Sequence, residues 1–176
     1  MSKKKIIIFV AIAVVIVAGF LIWNFVINEN TVISSKNEKY RYCIDSLKLK
    51  QETGELVIVG WCYKWDKNVA QPGTKDSLPF KAYLVKNIKD IKTQEDFDKN
   101  AIVLETQRAL RNDVQEVFGT REGIDIKWAG FEASGIYDIN TTDKYYLVLD
   151  YGEDSSRPFD TELCITDIIN EELQGR

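Results

Sequence analysis

ELVIVGWCYKW, residues 55–65, is the stretch whose reading decides the fold. It is apolar on both faces of an extended chain. A strand with one wet face alternates cleanly, whereas one buried on both sides reads as a continuous apolar run. Residues 55–65 therefore predict a central, covered strand. Before it, YRYCIDSLKLK (40–50) has period-two stretches that put Cys43, Asp45, Leu47 and Leu49 on one side, and ETG (52–54) supplies a tight turn. After it, DKNVAQPGTKDS (66–77) carries Pro72-Gly73 and predicts a loop. LPFKAYLVK (78–86), AIVLETQRA (101–109), KYYLVLDYG (144–152) and RPFDTELCITDI (157–168) predict further strands. So does IDIKWAGFEAS (124–134), with Ile124, Ile126, Trp128 and Gly130 on one face. NIKDIKTQEDFDKN (87–100) is charged and reads as a solvated loop with one helical turn near Thr93. No later segment has a long apolar period of 3.6. Short strands separated by turn signals predict an all-β sandwich of about seven to eight strands.

RNDVQEVFG (111–119) interrupts this pattern. Asp113 has the chemistry of an N-cap, and Glu116 follows at capping-box spacing. Val114, Val117 and Phe118 fall at i, i+3 and i+4 of one helical face. Gly119 stands where a C′ glycine stops a helix. The stretch predicts one capped helical turn plugging the end of the sandwich. A ligand contact at Arg111 and Asp113 is the alternative.

At the other end of the chain, IIIFVAIAVVIVAGFLIWNFV (6–26) carries no charge. At 1.5 Å per residue, ~20 apolar residues cross a hydrocarbon core ~30 Å thick. Trp23 suits the far interface, and Lys3, Lys4 and Lys5 favour a cytoplasmic N-terminus. A cleaved signal peptide fits less well, because the run is long and AGFLIWNF is a poor cleavage site. A lipoprotein fits less well again, with Cys43 far beyond the run. The expected organisation is a cytoplasmic tip (1–5), a transmembrane helix (6–27), a polar stalk (28–39), an extracytoplasmic β-sandwich (40–170) and a tail (171–176).

Charge and composition narrow the function. Three of the 23 basic residues precede the apolar run, so the rest carries 20 against 27 acidic ones, a net of −7. A body that acidic lacks the basic patches that nucleic acid requires. There is no histidine, which removes the usual general base near neutral pH and the commonest metal ligand. The three cysteines, Cys43, Cys62 and Cys164, have no CxxC spacing. They read as small buried apolar side chains, with a Cys43–Cys164 bridge between the first and last strands as the alternative.

With Gly60-Trp61, Arg111-x-Asp113-Val114 with Phe118, Ala129-Gly130-Phe131-Glu132 and the strand Tyr145–Leu149 in place, a resemblance emerges. The order resembles that of a β-sandwich accessory module of bacterial envelope proteins, often found beside membrane-bound or glycan-synthesising machinery. It covers roughly residues 42 to 168. Such modules often have a glycine before the tyrosine strand, where this chain has INTTDKYY. The resemblance implies an Ig-like, noncatalytic role, and it brings no catalytic residues.

Other constellations are weaker. Trp61 and Trp128 read as core, whereas Trp65, beside Asp66-Lys67-Asn68, reads as exposed and is the candidate contact for a glycan or partner. YDINTTDK (137–144) spaces oxygens as a calcium loop begins, but Asp143 stands at the glycine position and the closing glutamate is missing. Asn140-Thr141-Thr142 forms a glycosylation sequon, relevant only in a host that glycosylates secreted chains. Glu95-Asp96 and Glu153-Asp154 are sequence neighbours, with nothing to fix them across a substrate. Ser34, Ser35, Ser155 and Ser156 have no nucleophile motif. No catalytic residue, metal ligand or cofactor is predicted. The expected function is a single-pass, membrane-anchored binding or scaffolding module at the bacterial cell surface, engaging a protein partner or an envelope glycan. The alternatives are a glycan-modifying enzyme, or a small subunit of a membrane complex that uses its helix as the contact.

Overall fold

The computed structural model describes residues 39–152 and 158–174. The tip, the apolar segment 6–27 and all but the last stalk residue lie outside the described residues, as do Glu153, Asp154, Ser155 and Ser156. Among the described residues no helix is long and apolar enough to cross a membrane.

Seven strands form one sheet in the order β1-β2-β5-β4-β3-β6-β7, every pair antiparallel. They are β1 (Tyr40–Lys50), β2 (Glu55–Lys64), β3 (Lys81–Lys86), β4 (Ala101–Ala109), β5 (Gly130–Ile136), β6 (Tyr145–Asp150) and β7 (Phe159–Cys164). The fold is mostly antiparallel β, as expected. Two facing sheets were expected, but the strands are continuous through β4. Residues 101–104 of β4 pair with β3, and residues 105–109 pair with β5. The sheet curls until its two edge strands touch. The Tyr42 hydroxyl on β1 donates to the Thr161 carbonyl on β7 at 2.6 Å. The Tyr40 and Phe159 rings stack with centroids 4.6 Å apart. The interior holds Leu56, Ile58, Leu84, Leu104, Phe131 and Leu147, all at most 2% exposed.

Residues 55–65 take the position their pattern demands. Strand β2 lies between β1 and β5, with Leu56, Ile58 and Cys62 buried inward. Its outer face is covered in turn, because Trp61 and Tyr63 pack against Phe118.

Among the described residues, three helices and a short 3-10 turn (Ile88–Asp90) accompany the sheet. Helix α1 (Gln94–Asn100) occupies the segment expected as a solvated loop with one turn. Thr93 Oγ1 accepts from the Asp96 N–H while the Asp96 carboxylate accepts from the Thr93 N–H, a reciprocal cap. Phe97 anchors it, buried edge-on against Tyr83 at 5.2 Å between centroids.

Helix α2, residues 112–122, replaces the single turn expected at 111–119. Asp113 is not its cap. Arg111 occupies the N-cap position without a side-chain cap bond. Gly119 does not stop it either, being helical at φ −61; Gly123, at φ 71, takes the left-handed turn that a side chain resists. Between them the backbone widens over Gln115–Gly119 to π-type bonding. That widening turns Val117 out of the face it was expected to share, so it is 61% exposed while Val114 is 3% exposed. Through Phe118 the helix packs on Trp61 and Tyr63 near the end of β2, and Val114 enters the core.

Helix α3 (Ile165–Gln174) begins where a strand was expected to continue to residue 168 and extends past residue 170. Ile165, Ile168 and Ile169 stand at i, i+3 and i+4, the spacing of one helix face; Ile165 and Ile169 are buried, and Ile168 packs partly against the core.

Residues 124–129, expected as the start of a strand, are not in the sheet. Their backbone is used otherwise. The Ile126 N–H donates to Gln115 Oε1 at 2.6 Å, the Arg111 N–H to the Lys127 carbonyl at 2.6 Å, and the Val69 N–H to the Asp125 carbonyl at 2.7 Å. Ile124 and Ile126 lie on an irregular connection, and Trp128 sits in a turn closed by the Ala129 N–H donating to the Ile126 carbonyl at 2.9 Å.

Candidate functional site

The alternation of β1 breaks at one residue. Ile44 pairs with Gly60 and Ser46 with Val59, which leaves Asp45 as the extra residue of a bulge. A bulge re-aims a side chain and shifts the phase of the strand. Cys43 and Asp45 therefore point outward while Leu47 and Leu49 point toward the core, so the single face expected for these four residues is divided.

The bulge delivers the Asp45 carboxylate to Arg111. Arg111 donates from Nη1 to Asp45 Oδ2, from Nε to Asp113 Oδ1 at 2.8 Å and from Nη2 to Asp113 Oδ2 at 2.6 Å. The hydrogen bonds from Arg111 hold the Asp113 carboxyl down to about 2. The same bonds, those to Asp113 first, raise the guanidinium further above its ordinary range. The stem of Arg111 lies on Gly130, where an added Cβ would meet Arg111 Cγ at 2.5 Å and the Ala109 carbonyl at 2.7 Å.

Several of the resemblance residues thus converge, while the strand Tyr145–Leu149 lies elsewhere in the sheet, between β3 and β7. Gly60 lets β1 approach at the bulge, since a Cβ there would collide with the Cys43 carbonyl. Trp61 meets Phe118 at 5.3 Å between centroids. Gly130 seats Arg111, and the buried Ala129 accepts the Cys62 N–H at 2.9 Å. The cluster clamps α2 onto the sheet. Arg111 and Asp113 come together, joined by Asp45, which the sequence reading did not single out. Its only signal was an acidic residue inside an otherwise regular strand. The charges in this triad are spent on one another.

Trp65 takes no part in this cluster. It ends β2's continuation, its N–H donating to the Lys39 carbonyl at 3.1 Å, with half its surface (51%) exposed. It therefore sits where the described chain begins. All three cysteines are free thiols: Cys43 exposed, Cys62 buried and Cys164 between. Burial pushes the Cys62 thiol up to about 12, so it stays protonated at neutral pH. The 137–144 loop uses its oxygens internally. Asp138 Oδ1 accepts the Asn140 N–H at 3.0 Å, and Asp143 pairs with Lys86 at 2.6 Å.

A surface groove of about 630 Å³ lies at the seam between the sheet's two edges. Tyr42 and Thr161 close one end of the seam. Beyond them β7 gives way to α3, so the other half of β1 has no strand opposite it. Ile44, Leu47, Leu163, Ile165 and Ile168 line this open half, beside the backbone of residues 44–48. Two other surface cavities lie over α2 and beneath the 66–80 loop. Each of the three is lined by one carboxylate: Asp45, Asp125 or Asp76.

No protein-family model matches the chain, and no match is found among curated proteins or among solved structures.

Proposed function

We propose that the chain is a single-pass, membrane-anchored binding module of the bacterial cell envelope, Ig-like in role, whose curled sheet faces away from the cytoplasm and captures a protein partner at the seam groove. The partner enters as an extended, alternately apolar segment that adds to the free edge of β1. The observation that carries this reading is the half-open seam. An antiparallel edge strand presents alternate N–H and C=O groups to whatever lies beside it. Here that edge borders an apolar trough, which combines backbone pairing with side-chain pockets as strand addition requires. Residues 44–48 offer room for about five paired residues, roughly 17 Å of strand. Residues 6–27 supply the anchor by their length and lack of charge. The single carboxylate in each of these three cavities also favours binding there over glycoside cleavage, which uses a facing pair.

Two measurements test the reading. Protease added to intact cells should cut the β domain of the full-length chain; protection in intact cells with cleavage after lysis would place it inside and end the envelope reading. Random heptapeptides displayed against the purified full-length chain should enrich alternating apolar sequences. Those peptides should slow hydrogen exchange at residues 44–48 and lose binding to Leu47→Asp and Ile168→Asp. Protection centred on Trp65, or enrichment unaffected by both substitutions, refutes the groove as the partner site.

A further inference from the structure

Arg108 points inward from the C-terminal half of β4, into the curled sheet. Its guanidinium carbon lies 3.9 Å from the Phe80 ring centroid and 4.9 Å from that of Tyr151. Its Nη1 donates to the carbonyls of Cys62 and Ala129, each at 3.1 Å. Among the described residues it has no ion pair. A guanidinium is always charged, and a charge withdrawn from water calls for compensation. The two rings and two carbonyls supply part of it.

Beside Arg108 lies a buried hydroxyl. The Tyr151 side chain is 3% exposed, and its hydroxyl is buried without a hydrogen-bond partner among the described residues. Leaving such a hydroxyl unsatisfied costs about 1–3 kcal/mol. Burial pushes this phenol upward, so at neutral pH it is a hydrogen-bond donor. Arg108 and Tyr151 both line a small, partly open cavity of about 20 Å³ beneath the 66–80 loop, with Ser77 and Asn68 at its wall. That volume admits roughly one water-sized particle.

We propose that this cavity binds one small monovalent anion, no larger than a carboxylate head, between the Arg108 guanidinium and the Tyr151 hydroxyl. Donors of one sign converge there: a permanent cation, a protonated phenol and the Ser77 hydroxyl. Asp76 also lines the cavity but is exposed, so water screens its opposition. The site is separate from the seam groove and does not rest on the partner reading.

The test uses the purified full-length chain at constant ionic strength, with bulky gluconate as the balancing anion. Chloride and formate are titrated separately, following the thermal midpoint and, for chloride, the ³⁵Cl line width. A saturable rise with either anion is expected. Tyr151→Phe keeps the ring packing and should weaken binding by about tenfold. Asp76→Asn should tighten it. Saturation by chloride alone marks a monatomic site, and saturation by formate alone marks a carboxylate site; both support the proposal. Absence of saturation, or an unchanged response in Tyr151→Phe, means that the cavity holds only water and overturns it. Weaker binding in Asp76→Asn would mean that the bound anion does not sit opposite Asp76 in this cavity, which overturns it equally.

Discussion

Thr166 holds the start of helix α3 to the β5–β6 connection, and Thr166→Val tests how that junction is built. The residue is 4% exposed. Its Oγ1 accepts from the Tyr137 hydroxyl at 2.9 Å and from the Tyr145 N–H at 3.0 Å, and donates to the Asp143 carbonyl at 3.1 Å. One hydroxyl therefore serves three groups from the 137–145 segment. Valine keeps the shape and removes all three bonds. Tyr137 is itself 3% exposed, so its hydroxyl has no route to water. An orphaned buried group costs about 1–3 kcal/mol, while the two backbone groups, nearer the surface, lose about 0.5–1 kcal/mol each. The expected loss is about 2–5 kcal/mol. With a urea slope of ~2 kcal/mol/M, the unfolding midpoint falls by ~1–2.5 M. Tryptophan fluorescence of the purified chain reads this midpoint. Adding Tyr137→Phe removes the orphan, so the double variant should lose less than the sum of the singles, by about 1 kcal/mol. A Thr166→Val midpoint within ~0.2 M of the parent, or strict additivity, would refute the network.

Acid stability should depend on Asp113. Its folded carboxyl lies at about 2 and its unfolded one at about 3.9. The unfolded chain therefore binds more protons across this window, and acidification favours unfolding. The contribution is present above pH ~4 and is lost as pH falls toward 2. Asp113→Asn should make the decline shallower, though not flat, because the caps and pairs of Asp96 and Asp167 lower those carboxyls too; an unchanged acid profile by circular dichroism counts against the Arg111 clamp. Gly60→Ala forces β1 away from β2 at the bulge and should cost about 1–3 kcal/mol in urea unfolding. A neutral result would mean that the close approach is not required. Trp65→Ala should leave the midpoint within about 0.5 kcal/mol, since the ring is half exposed; a larger loss would show that the ring packs on something.

The strand framework was legible because its signals are local. Residues 40–50 and 101–109 match β1 and β4 end to end, since alternation and turn residues are written in the chain itself. The candidate cluster was half legible. Arg111 and Asp113 stand two apart and announce a pair, but Asp45 is 66 residues away from Arg111 and joins only through the bulge. Helix α3 was signalled by Ile165, Ile168 and Ile169, yet the β-branched run Ile165-Thr166 favours a strand in isolation. Arg108 gave no signal, because one arginine near the end of a strand looks solvated until the curl of the sheet encloses it.

By itself, then, the sequence determined the β character, the turn at residues 52–54 and the uncharged stretch 6–26, all properties of neighbours along the chain. Tertiary structure alone decided that the strands share one sheet through β4, that Gly123 and not Gly119 ends α2, and that a seam stays half open. Those outcomes depend on which distant surfaces meet. Pairing two segments far apart in sequence is settled by the packing of the whole core, and no short window of residues contains that balance.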